Sequence, residues 1–208
     1  MAKANVRLDY RELEKLKEQI EKVGNVERSN QFLESCAKEL AARLLAKVIK
    51  RTPVGKKPEL KGEKTVKVVG ENGKTRSFLS EEAARIQQYW GAYNGGTLRR
   101  GWTSKTQEEA ESGSGSGKNP NQYADSLKID KVGTNYIIEI INPVEYASYV
   151  EFGHRQNVGK YVPAIGKRLK QGWVEGQFML TISEDEIRQS APSVLQKKLE
   201  NYLRECFK

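Results

Sequence analysis

The sequence is short of the residues that most often carry chemistry. Its 208 residues include one histidine, His154, and two cysteines, Cys36 and Cys206. A single imidazole removes His-rich zinc sites and leaves few conventional triads. The cysteines fall in helical patterns without metal-ligand spacing, so they read as small core or interface residues in a reducing compartment and not as a disulfide framework. No apolar run approaches the ~18 residues that a membrane span requires. The stretch MAKANVRLDY lacks the apolar heart of a signal peptide. Neither a membrane protein nor a Sec-secreted one is expected. Gly95-Gly96 has no phosphate-loop context, and Thr52-Pro53-Val54-Gly55 is a turn. Glu151 lies near His154, with Tyr146 and Tyr149 close in sequence, and such a pair suits acid–base work. No nucleophile motif accompanies it, so the segment reads as a polar turn at the end of a sheet. No catalytic residue, cofactor or metal is expected.

What the chain has is charge. Thirty-six Lys/Arg against 27 Asp/Glu give a formal +9, with mean hydropathy −0.72. Residues 47–76 carry ten bases against three acids, and residues 154–172 carry five bases and no acid, while residues 173–208 are nearly balanced. Dense positive charge suits phosphate or an acidic protein partner, or serves as a solvated face. Lys56, Lys57, Lys61, Lys167, Arg168 and Lys170 are the candidates. The aromatic–basic runs Leu98-Arg99-Arg100-Gly101-Trp102 and Lys170-Gln171-Gly172-Trp173 would allow base stacking, though no nucleic-acid motif is present and the tryptophans fit better in a sheet.

Apolar spacing predicts an α+β fold, with a small antiparallel sheet packed against two N-terminal helices and a C-terminal helix. Val6 and Leu8 suggest a short strand. Leu13, Leu16, Ile20 and Val23 form one stripe of a helix over 10–23. Phe32, Leu33, Cys36, Leu40, Leu44, Val48 and Ile49 form that of a second, from a Ser29 cap to Arg51, stopped by Pro53. Thr65–Leu79 reads as a hairpin around Asn72-Gly73, followed by a helix opened by Ser80-Glu81-Glu82. Residues 56–94 are thus a hairpin-helix excursion from a single domain spanning 1–208. Thr97–Thr103 reads as a strand. Residues 104–122 read as a flexible Ser/Gly linker with nothing to bury. Strands flank Gly133, over 126–132 and 136–141. A helix over 187–207 closes the chain, with Pro192 in its first turn.

Several separated segments share a resemblance. Arg51-Thr52-Pro53-Val54-Gly55 follows a long helix, and Gly95-Gly96-Thr97-Leu98-Arg99-Arg100-Gly101-Trp102 comes next. Then follow Tyr146-Ala147-Ser148-Tyr149-Val150-Glu151-Phe152-Gly153-His154-Arg155 and Trp173-Val174-Glu175-Gly176-Gln177-Phe178-Met179-Leu180. Together these blocks resemble bacteriophage neck and tail-completion (head–tail joining) proteins, relatives of the minor tail protein Z group. The excursion at 56–94 and the Ser/Gly tract depart from the usual pattern.

The resemblance implies a structural virion protein and not an enzyme. It would be assembled in the host cytoplasm and form a hexameric ring at the head-proximal end of the tail. Its partners would be further copies of itself, tail tube or terminator proteins, and head connector proteins, around a DNA channel. A tail terminator or head-closure position is the neighbouring alternative, and a basic, non-specific nucleic-acid-binding module is the alternative of another class. Leu98, Arg99, Arg100, Gly101, Trp102, Tyr149, Glu151, Phe152, Gly153, His154 and Arg155 are the motif and ring-interface candidates. Among them Gly101 and Gly153 would serve backbone geometry, and Trp102 and Phe152 would anchor the core or pack at an interface. Arg99 and Arg100 would alternate across a strand, and Glu151 would pair with an arginine, across a subunit boundary or within the chain. Residues 105–122 and 154–172 are expected docking loops, and the basic candidates would face channel DNA or an acidic ring.

Overall fold

A computed structural model of the chain describes residues 5–7, 17, 26–114, 119–133 and 135–206. The helix expected over 10–23 lies outside the described residues, apart from Lys17, which is helical. The chain divides into two compact units: residues 1–53, 97–153 and 176–208 form the first, and residues 54–96 and 154–175 form the second.

The first unit is built around helix α1 (Val26–Arg51). The predicted stripe is buried except for Ile49, which is half-buried, and Ala37, Ala41, Ala42 and Leu45 are buried as well. So wide an apolar face needs cover on several sides. Three elements supply it: helix α5 (Pro120–Ser126), strand β5 (Asn135–Ile141) and helix α7 (Met179–Cys206). Each leucine fully buried here contributes about 1.5–3 kcal/mol. Helix α1 begins before Ser29, which is buried inside it and does not cap it. It ends at Arg51, ahead of Pro53 as predicted.

A three-stranded antiparallel sheet, in the order β1 (Asn5–Arg7), β5, β4 (Ile129–Val132), packs on this helix. The turn between β4 and β5 passes through Gly133 at φ 63°, the left-handed conformation glycine takes without a steric penalty. Tyr136, Ile138 and Ile140 point into the core from alternate positions of β5.

Three expectations fail for local reasons. Thr97–Gly101 is a helix, α3, and not a strand. Leu98 and Trp102 are both buried and stand four apart, which is the helical repeat. The tract 104–122 is not a bare linker on its flanks, because Gln107–Ser112 forms helix α4 and residues from Pro120 onward form α5. Thr106 caps α4 by accepting from the Glu109 N–H, Asn119 caps α5 ahead of a first-turn proline, and Ala110 is fully buried. Residues 115–118 lie outside the described residues. Finally, α7 starts eight residues before Ile187, so Pro192 sits within the helix and not in its first turn.

The second unit contains the predicted hairpin, β2 (Thr65–Val69) with β3 (Thr75–Leu79), in the register Val66 to Phe78 and Val68 to Arg76. Helix α2 (Glu81–Trp90) follows, with the Ser80 hydroxyl accepting from the Ala83 N–H at its start. Trp90 Nε1 donates to the Ala164 carbonyl at 2.7 Å and the ring meets Tyr93 edge-on. Two further two-stranded ribbons pair β6 (Gly153–Arg155) with β9 (Trp173–Glu175), and β7 (Tyr161–Val162) with β8 (Lys167–Arg168). Its buried residues are only Ala83, Ile86 and Gly95, and none of them belongs to the chain's main hydrophobic cluster.

Candidate functional site

Thr52, at the end of α1, gathers the first two motif blocks. Its hydroxyl donates to the Val48 carbonyl at 2.6 Å and accepts from Trp102 Nε1 at 2.7 Å. Its carbonyl accepts from Arg99 Nε and a terminal guanidinium nitrogen at 3.2 and 2.7 Å. Arg100 turns elsewhere, with Nε donating to the Ala110 carbonyl at 2.8 Å. The two arginines therefore splint α3 to its neighbours and do not alternate across a strand. Asn142 closes the node: its Nδ2 donates to the Leu98 carbonyl at 2.9 Å and its Oδ1 accepts from the Val144 N–H at 3.2 Å. A Cβ on Gly101 would overlap Asn142 Oδ1 and lie 2.9 Å from Val144 Cγ2, so this position needs glycine for close approach. Leu98, Arg99, Gly101 and Trp102 thus come together as an internal brace.

The third block forms helix α6 (Ala147–Phe152), and its residues divide by face. Glu151 points inward and is 1% exposed. Its Oε2 accepts from the Leu180 N–H at 2.9 Å, and its Oε1 accepts from the Thr181 N–H and hydroxyl at 2.9 and 2.8 Å. The first amides of a helix have no partner within the helix, and the helix dipole favours negative charge beside them. Glu151 is therefore the remote cap of α7. No arginine among the described residues pairs with it within the chain. Both oxygens are occupied by α7 donors, so Glu151 is not placed as an acid–base partner for His154, whose ring lies 3.4 Å from the Gln156 amide. The segment is a helix feeding strand β6, and not the polar turn expected. Gly153 takes φ 85° at the exit of α6.

The backbone reinforces this lock. Gln177 and Phe178 N–H groups donate to the Val150 and Glu151 carbonyls at 2.8 and 3.0 Å. A Cβ on Gly176 would overlap the Glu151 carbonyl oxygen, so the strands of chain touch through glycine. Phe178 itself has φ 46°, an uncommon conformation for a bulky residue that is held here by contacts on both sides.

The outward face of α6 is different. Tyr149 and Phe152 are 58% and 55% exposed, and Tyr146 is exposed beside them. Phe152 is therefore not a core anchor, whereas Trp102, at 1% exposure, is. Sequence reading grouped these aromatics without separating the faces. The spacing Tyr146, Tyr149, Phe152 against Ala147, Glu151 is the signal that separates them.

Charge is unevenly shared. The second unit holds thirteen Lys/Arg against six Asp/Glu, net +7, leaving 23 against 21, net +2, in the first. Residues 54–76 of the first basic stretch and the whole of the second fall in this one unit, while Lys47, Lys50 and Arg51 belong to the first; Lys56, Lys57, Lys61, Lys167, Arg168 and Lys170 are all exposed in the second unit, as is Arg155. Within the first unit Glu39, Asp130, Glu184, Asp185 and Glu186 each pair with a lysine or arginine. Arg168 donates to the Gly159 carbonyl at 2.8 Å. The described residues contain no cluster of His, Cys, Asp and Glu able to hold a metal, and no helix among them is long and apolar enough to cross a membrane.

Comparison with protein families places the chain among bacteriophage tail components. The matching family model, HK97-gp10-like, described as "Bacteriophage HK97-gp10, putative tail-component", covers residues 14–153, and the chain belongs to this family. The match includes the Thr52 node, the hairpin and the whole of α6. No curated protein and no solved structure matches the chain. Membership makes the protein a phage tail-associated structural component, carried in the virion and interacting with other phage structural proteins.

Proposed function

We propose that the protein is a ring-forming subunit at the head-proximal end of a phage tail. It completes the tail and joins it to the head around the DNA channel, in the manner of tail-completion proteins related to the minor tail protein Z group. The observation that carries this reading is the second unit. Val66, Val68 and Phe78 stand 48%, 50% and 52% exposed on one face of a two-stranded ribbon. An isolated hairpin is marginal in water, and both of its edges present unpaired backbone groups. Such a unit gains its stability by covering that surface in an assembly. Head-to-tail contacts that close on rotation give a ring, here a hexamer. Residues 105–122 and 154–172 then act as docking segments toward tail tube or terminator proteins below and head connector proteins above.

Native mass spectrometry of the purified chain, with cryo-electron microscopy of the intact particle, tests this. A discrete hexamer and a collar at the head–tail junction are expected. A chain that stays monomeric at every concentration and is absent from particles overturns the reading. A collar located as the tail terminator or head-closure ring would shift its position but keep its class.

The uncompensated charge of the second unit favours one further role, contact with channel DNA. Phosphate contacts made by lysine and arginine weaken linearly in log affinity with log salt. Duplex DNA of arbitrary sequence is expected to bind with that salt slope, and neutralising Lys167, Arg168 and Lys170 is expected to reduce it. An unchanged slope assigns those residues to a solvated face.

A further inference from the structure

The ribbon that the second unit leaves uncovered has a counterpart on the first unit. In the register of the hairpin, Val66 faces Phe78 and Val68 faces Arg76, so all four share one side of the ribbon. That side is an apolar strip ending in a guanidinium, with Lys74 just beyond it at the turn. Over residues 64–79 the hairpin carries four bases and one acid. On the first unit, exposed Tyr149 and Phe152 lie on the outer face of α6, and exposed Phe178 follows the backbone hydrogen-bonded along its end. The other end of α6 meets an acidic corner. The Glu145 N–H donates to Gln107 Oε1 at 3.2 Å, and Gln107 Nε2 donates to Glu111 Oε1 at 2.7 Å. Helix α4 adds Glu108 and Glu109, and the Arg100 guanidinium nearby is engaged by the Ala110 and Glu111 carbonyls.

The two surfaces are complementary in kind and in sign: an apolar strip with a basic end, and an aromatic strip with an acidic end. Aromatic residues and arginine are also the side chains that most often dominate interface energetics. We propose that the hairpin of one copy docks on the α6 face of a second copy. Val66, Val68 and Phe78 cover Tyr149 and Phe152, while Arg76 and Lys74 meet Glu111 and Glu145. The contact uses different surfaces on the two copies, so every copy offers one hairpin and one α6 face, and association continues until the ring closes. This inference rests on the ring reading and names the surfaces that build it.

The test uses two full-length variants with opposite faces disabled: Val66→Glu with Phe78→Glu, and Tyr149→Glu with Phe152→Glu. All four positions are exposed, so far-ultraviolet circular dichroism of each variant is expected to match that of the parent diluted below its assembly concentration. Each variant alone is expected to need a concentration ~30-fold higher to assemble, the effect of losing one hot spot. Mixed in equal amounts, the two variants are expected to form a one-to-one pair by native mass spectrometry, because each retains the face the other lacks. Pairing in the mixture without self-assembly of either variant supports the contact. A parent that assembles while either variant assembles equally well overturns it and leaves the ring standing. A parent that never assembles overturns both. Hairpin substitutions that abolish DNA binding but leave assembly intact assign the ribbon to phosphate and overturn the docking.

Discussion

Replacing Glu151 with alanine removes a cap that lies 29 residues from the Leu180 amide it serves. The substitution deletes three accepted hydrogen bonds and leaves the buried Leu180 N–H and its neighbour at Thr181 without partners. Hydrogen bonds to a charged group are worth about 1.5–3 kcal/mol each, but they are not additive when they share one carboxylate. Leaving the buried Leu180 N–H without a partner costs about 1–3 kcal/mol, and with the Thr181 bonds a loss of about 2–4 kcal/mol is expected here. For a chain of this size each kcal/mol lowers the melting temperature by about 2–4 °C, so a fall of roughly 10 °C is expected. Urea unfolding followed by far-ultraviolet circular dichroism measures the free energy directly. Glu151→Gln keeps one acceptor oxygen but turns an amide group toward an N–H donor, and an intermediate loss is expected. A double-mutant cycle isolates the mechanism: Thr181→Val costs about 1 kcal/mol in the parent and close to nothing beside Glu151→Ala. An alanine variant within ~0.5 kcal/mol of the parent, or additive effects in the cycle, refutes the remote cap.

Three other outcomes follow from the same packing. Gly101→Ala forces a Cβ into Asn142 and Val144 and is expected to destabilise the protein by about 1–3 kcal/mol, measured by the same unfolding assay. Burial pushes the Cys36 thiol up to about 12, so in a Cys206→Ser background it is expected to react with a disulfide reagent only after unfolding. Hydrogen bonds from Lys47 and Arg51 hold Glu186 below its ordinary value. For Glu39, burial pushes upward but is outweighed by hydrogen bonds from Arg43 and Lys198. Both depressed carboxylates contribute stability that is full above the unfolded value of about 4.3 and is lost as pH falls through their folded values. Melting temperature against pH is therefore expected to drop on acidification, and Glu186→Gln to flatten that drop; an unchanged slope counts against the pairing.

The elements legible in the sequence were those whose signal is local. The α1 stripe, the Asn72-Gly73 hairpin, the Ser80 cap and the turn at Gly133 each depend on neighbours within a few residues, where side-chain periodicity and backbone sterics act alone. Some misses had local signals too. Leu98 and Trp102 stand four apart, a helical spacing inside a segment whose composition suits a strand, and the Thr106 and Asn119-Pro120 caps are masked by the Ser/Gly composition around them. The start of α7 was different. Nothing near Met179 announces it, because its amides are satisfied by Glu151 from another helix, and Pro192 pointed to a later start.

The candidate site divides in the same way. Composition and spacing determined an α+β chain with two basic stretches and a set of aromatic–glycine motifs. Only the tertiary structure decided which motif residues are braces and which are surface: Trp102 and Glu151 are buried, and Tyr149 and Phe152 are exposed. It also gathered most of the first basic stretch and all of the second into one unit that holds +7 of the +9. The reason is physical. Periodicity fixes what a segment becomes, whereas burial, hydrogen-bond satisfaction and charge density are properties of groups brought together from distant parts of the chain.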